Sequence, residues 1–264
     1  MNRIDKKFMD LQEKDKKAFI AFITAGDPDI KATEQLCIAF EDAGVDIIEI
    51  GIPFSDPLAD GPTIQLSSER ALRNNISLED IFRCVCRIRR RTQIPLVLMT
   101  YYNPVFRYGE LRFISRAEET GVDGIIVPDL PPEEGKNLIK LARNADISTI
   151  FFISPTTTKD RMKTIVKVST GFIYYVALTG VTGARDKIAS DIATHVKTIK
   201  QLTNKPVCVG FGISTPAHVK NICNFADGAI VGSAIIKQIE AFSKKYNDMI
   251  NKVSEFVKGL AKPA

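Results

Sequence analysis

Eight short apolar runs, separated by segments of helical pattern, constrain this 264-residue chain more than any other feature. They are "FIAFIT" (19–24), "IIEIG" (47–51), "PLVLMT" (95–100), "GIIVPD" (124–129), "TIFFIS" (149–154), "GFIYYV" (171–176), "VCVGFG" (207–212) and "GAIVGS" (228–233). Most are continuous rather than alternating, which is the pattern of strands buried on both faces of a parallel sheet. Between the first two, Leu36, Ala39, Phe40 and Ala43 share one helical face and Gly44 supplies a stop. Leu111, Phe113, Ile114 and Ala117 repeat that pattern, closed by Gly121. A helix opening at Pro132 is expected to carry Leu138, Ile139, Leu141 and Ala142, and another brings Met162, Ile165 and Val166 together. Thr215-Pro216 opens one more, with proline at an early position where its missing N–H costs nothing.

Eight strand–helix units in this length predict an α/β fold, a single (β/α)8 TIM barrel over residues 1–264. Ile4, Phe8 and Leu11 predict an extra N-terminal helix across the bottom of the barrel. No G-x-G-x-x-G follows the first run, which removes the simplest dinucleotide-binding alternative, and no Ser/Gly/Pro-rich linker divides the chain. The unit between Gly51 and Pro95 is the longest, and its surplus is read as a functional loop after the second strand.

Composition removes several function classes. The net charge of +5 is modest, and its densest patch, "RCVCRIRRRTQ" (83–93), reads as a helix with a solvated basic face. No aromatic platform accompanies that patch, which argues against nucleic-acid binding. The cysteines number five, with no C-x-x-C pair, and His195 and His218 stand alone, so neither a disulfide framework nor a metal site is expected. No run approaches the ~20 apolar residues of a membrane span. The N-terminus has no signal-peptide pattern, so a cytoplasmic location is expected.

In this fold, chemistry sits at the C-terminal ends of the strands. "TGVTGA" (179–184), "GFGIST" (210–215) and "GSAI" (232–235) fall there, and their backbone N–H groups suit a phosphate. Glu49 lies inside an apolar run and Asp60 in the Pro- and Asp-rich segment beyond it. For Glu49 a buried ion pair and a proton-transfer group of raised pKa are both open readings. For Asp60 the choice lies between a turn-former in "ADGP" and a carboxylate over the barrel mouth. Tyr101 and Tyr102, like Tyr174 and Tyr175, are adjacent pairs of which alternation points only one inward.

Together, "FITAGDPD", "IEIGIPFSDPLADGPTIQ", "MTYYNPVFRYG", "VPDLPPEE", "ISPTTTKDR", "TGVTGA", "VGFGIS" and "GAIVGSAII" resemble the tryptophan synthase alpha chain family along the whole chain. The resemblance implies a carbon–carbon lyase of tryptophan biosynthesis. It would cleave indole-3-glycerol phosphate by a retro-aldol reaction into indole and glyceraldehyde 3-phosphate. Glu49 would be the general acid/base, and Asp60 would accept the indole N–H. The indole body would lie among Phe22, Ile64, Thr100 and Tyr102, with Tyr174 near Glu49. The phosphate would take N–H groups from Gly183, Gly212, Gly232 and Ser233. The loop from 178 would close as a lid, with Thr182 meeting Asp60. The sequence departs from many family members at Ala177 and Leu178.

The resemblance also implies a beta subunit in an α2β2 complex. That partner would carry pyridoxal phosphate, and this chain would carry neither cofactor nor metal. Pro53, Asp56, Pro57, Asn103 and Pro104 would face it. Two rivals remain: another phosphate-ester enzyme on the same barrel, and a non-enzymatic subunit that only activates its partner.

Overall fold

The computed structural model describes residues 1–177, 185–210, 212–243 and 245–264, with backbone only at 185–189 and 247. Among the described residues nine strands form one sheet: β1 Ala18–Thr24, β2 Ile47–Gly51, β3 Leu96–Met99, β4 Gly124–Ile126, β5 Ser148–Ile150, β6 Phe152–Ile153, β7 Ile173–Val176, β8 Val207–Gly210 and β9 Gly228–Val231. Their order is β5-β4-β3-β2-β1-β9-β8-β7-β6, and neighbours pair in parallel. The fifth apolar run is therefore divided at Phe151. β5 pairs with β4 and β6 with β7, so the sheet comes round on itself through one kinked strand. The Phe151 carbonyl already accepts from Tyr174 N–H at 3.2 Å, which marks where the strand changes partner.

The continuous apolar runs have a direct structural cause. Alternate residues point into the barrel, among them Ala18, Ile20, Ile47, Val97, Ile126, Ile150, Cys208 and Ile230, all buried together. Their neighbours Phe19, Ile23, Ile48, Ile50, Leu96, Leu98, Val207 and Val209 point outward under the helices. Both faces are dry, so neither can be polar. Helix Arg3–Glu13 closes the bottom as expected: Ile4, Phe8 and Leu11 join the inner cluster. Asn2 caps that helix by accepting from Ile4 N–H at 2.8 Å.

Helices Ile30–Asp42, Glu110–Thr120, Lys159–Val168 and Pro216–Cys223 form where periodicity puts them. Asp29, Thr158 and Thr215 supply N-caps, and Gly121 supplies a left-handed stop at φ 87°. Leu111 departs from the expected face and is exposed. Two expectations need correction. The helix expected from Pro132 begins at Lys136, because residues 131–135 make a turn closed by Gly135 N–H to the Pro131 carbonyl at 3.0 Å. The surplus after β2 is not all loop, since helix Pro62–Leu72 precedes helix Leu78–Arg89. A 2.6 Å hydrogen bond between the hydroxyls of Thr24 and Ser67 ties the added helix to β1. The first part of the basic stretch, residues 83–89, belongs to helix Leu78–Arg89, with Cys84, Val85 and Ile88 buried, and the rest lies beyond its C-terminus. Among the described residues no helix is long and apolar enough to cross a membrane.

Candidate active site at the strand ends

Glu49 lies at the centre of β2, in register with Phe22 of β1 and Val97 of β3. It faces inward and is completely buried. Neither carboxylate oxygen has a hydrogen-bond partner among the described residues. The ion-pair reading therefore finds no cation among those residues. Burial alone pushes its pKa from 4.5 up to about 8. An unpartnered carboxyl in a dry interior is costly as an anion and far cheaper as a neutral acid.

Asp60 sits on the segment joining β2 to helix Pro62–Leu72, half-buried. Its backbone does make a turn, N–H to the Pro57 carbonyl at 3.0 Å, steadied by Gln65 Nε2 donating to the Asp60 carbonyl at 2.8 Å. The carboxyl, however, turns to Tyr101. Burial pushes it up to about 6, and the Tyr101 hydrogen bond opposes that rise. The two acids thus have different environments, one with no partner among the described residues and one beside the Tyr101 hydroxyl, an arrangement that separates their protonation states.

Phe22, Thr24, Gly51, Asp60, Ile64, Met99, Thr100 and Tyr101 line one small cavity at the strand ends. Glycine is required where rings fill this space. A Cβ on Gly51 would lie 2.6 Å from the Phe22 ring, and one on Gly210 would lie 2.7 Å from the Tyr174 hydroxyl. Tyr174 points inward, edge-on to Phe152 with centroids 4.7 Å apart, and its phenol feels the charges of Glu49 and Asp60. Tyr175 points outward and stacks on His195.

Tyr102 is not brought to this cavity. Its hydroxyl donates to Glu110 at 3.0 Å and its ring packs on Phe106, while its N–H donates to Asp129. Tyr101 stands in its place, and Met99 lies beside it. Alternation contained the signal: Val97 and Met99 point inward, so the next inward residue is Tyr101, not Tyr102.

Gly232 adjoins Phe22 and is the N-cap of helix Ser233–Phe242, with no side chain of its own to cap the first amides. Gly212 has φ 42° and open space around its α-carbon. Both suit close backbone approach to an anion. Thr182, Gly183 and Leu178 lie outside the described residues, as does most of the expected lid, while Ala177 is buried. Among the described residues no cluster of His, Cys, Asp and Glu could hold a metal ion.

Of the residues expected to face a partner, Pro53 is buried, Pro57 and Pro104 are half-buried, and Asp56 and Asn103 are exposed. Beside them lie two large exposed apolar side chains, Phe106 at 67% within the expected segment and Leu58 at 93% just beyond Pro57, which the sequence reading missed.

Residues 8–264 match the model of the family described as "Tryptophan synthase alpha chain". The chain is 50% identical over 262 residues to the tryptophan synthase alpha chain of Thermoanaerobacter sp. (strain X514), covering 98% of each. It is 49% identical over 260 residues to that of Geotalea daltonii, again covering 98% of each. The crystal structure of tryptophan synthase subunit alpha from Legionella pneumophila str. Paris superposes with a TM-score of 0.93 at 36% identity, covering 100% of this chain and 98% of that one. The chain, a parallel α/β barrel, belongs to the tryptophan synthase alpha chain family.

Proposed function

We propose that this chain cleaves indole-3-glycerol phosphate into indole and D-glyceraldehyde 3-phosphate, as the first half of tryptophan formation. The observation that carries the reading is Glu49, a fully buried carboxyl with no partner among the described residues, held neutral at physiological pH. In the proposed reaction Glu49 gives its proton to the indole ring carbon that bears the glyceryl chain. The carboxylate so formed takes the proton of the adjacent side-chain hydroxyl. The hydroxyl oxygen becomes the carbonyl oxygen of glyceraldehyde 3-phosphate. The carbon–carbon bond breaks, and its electron pair returns to the ring to restore indole. Protonation of the ring carbon leaves positive charge on the ring nitrogen, and an ionised Asp60 accepting the N–H stabilises it.

Phe22, Ile64, Met99 and Thr100 give the ring an apolar bed, with Tyr174 beside Glu49. Gly183, Gly212, Gly232 and Ser233 would hold the phosphate, and Thr182 would meet Asp60. The cleavage needs neither metal nor cofactor, since both proton movements pass through one side chain. A beta subunit, carrying pyridoxal phosphate, would receive the indole in an α2β2 complex. Asp56, Pro57, Leu58, Asn103 and Phe106 present the mixed polar and apolar face such a partner needs.

The experiment is to incubate the purified chain with indole-3-glycerol phosphate, with and without a beta subunit. Indole and glyceraldehyde 3-phosphate are expected in equal amounts, faster with the partner present. Accelerated beta turnover with no cleavage in either condition would leave the non-enzymatic activator instead.

A further inference from the structure

Tyr101 follows β3 and is the extended N-cap residue of helix Tyr102–Tyr108, at φ −76° and ψ 159°. Its ring is buried and stacks on Phe54, centroids 5.4 Å apart. Its hydroxyl oxygen accepts the Ala59 N–H at 2.9 Å. A phenol has one proton to give, and the neighbouring Asp60 carboxyl is the acid on which it acts. That hydroxyl therefore fixes the Ala59-Asp60 step through the Ala59 N–H. It does so from a strand end, on a ring fixed by stacking.

We propose that Tyr101 is a positioning residue for the reaction: its hydroxyl holds the Ala59-Asp60 step to the end of β3, so that the Asp60 carboxylate is aimed at the substrate N–H. The proposal rests on the cleavage reading given above. Other groups around this pair do not perform the same task. Tyr174 of β7 senses the charges of both Glu49 and Asp60, and Asp129 beyond β4 is near enough for its charge to act on Tyr101. Glu49 is the other acid of the site, and burial favours its neutral form. None of these is a cation, and a negative neighbour favours protonated Asp60. The Tyr101 O–H is the donor that opposes burial at Asp60. Burial and the Asp60 charge push the Tyr101 phenol well up, so it keeps its proton across the working range.

The test is Tyr101→Phe, which keeps the ring and its stacking on Phe54 and removes only the O–H. Carbon-13 NMR of the free chain, with the Asp60 signal assigned by its loss in Asp60→Asn, reads the carboxyl directly. Its midpoint is expected to move up by about one pH unit. The acid limb of kcat/KM for indole release should move up by the same amount, because only ionised Asp60 works. Intact release with an unmoved midpoint and limb would overturn the role of Tyr101 alone. A native chain that releases no indole would overturn it together with the reading it rests on.

Discussion

Replacing Glu49 with glutamine is expected to lower kcat for indole release by about 10³-fold or more, with KM changed little. The expectation follows from the state of the native side chain. Glu49 is neutral in its pocket, and glutamine is neutral and of nearly the same shape, so packing against Phe22 and Val97 survives. What disappears is the transferable proton. The loss should exceed a single acid or base defect, because in the proposed reaction the same carboxyl gives one proton and takes the other. Steady-state kinetics at pH 7 check this, and a variant retaining a tenth of native kcat would remove Glu49 from the chemistry.

The same substitution should stabilise the fold, and by more as pH rises. In the unfolded chain Glu49 titrates near its ordinary 4.5, whereas in the folded chain burial holds it near 8. Folding therefore favours the protonated form. The contribution to stability is fully present below the unfolded value, falls as pH rises from there, and is gone once pH passes the folded value. The total lost is about 5 kcal/mol, an upper figure for a site that relaxes on ionisation. Glutamine does not ionise and loses none of it. Denaturant unfolding of both chains at pH 5 and pH 8.5 should show a small difference at the lower pH and one of about 2–4 kcal/mol at the higher. A difference that does not change with pH would mean that the buried carboxyl is not resisting ionisation. Such an exchange of stability for a poised group is the usual condition of an active site.

Much of this was legible in the sequence because barrel strands are dry on both faces. A run such as 228–233 can be nothing but apolar when one side meets the N-terminal helix and the other the surrounding helices. Capping residues and Gly121 made helix ends readable in the same local way. The break at Phe151 was not readable, because "TIFFIS" is equally apolar on either side of it. The change of partner there belongs to closure of the sheet, not to composition. Nor was the start of the helix at Lys136 readable, since Pro132-Glu133-Glu134 is as good an opening as a turn.

At the site, both acids could be picked out by their odd neighbours, a glutamate among isoleucines and an aspartate in a segment punctuated by Pro53, Pro57 and Pro62. The choice between Tyr101 and Tyr102 failed because motif resemblance was followed where the two-residue period of β3 pointed the other way. The grip of Tyr101 on the Ala59 N–H joins segments 42 residues apart in the chain, and no local pattern encodes it. The same holds for Glu49. A sequence shows that a carboxylate is buried, but only the packed barrel shows that no described cation or donor reaches it.

The most direct measurement is a carbon-13 NMR titration of the Glu49 carboxyl in the native chain without substrate, its signal assigned by loss in Glu49→Gln. A midpoint of about 8 is expected, the value of an acid kept neutral in a dry pocket and ready to give its proton at physiological pH. A midpoint at the ordinary 4.5 would show an ionised, solvated carboxylate and contradict proton donation by Glu49.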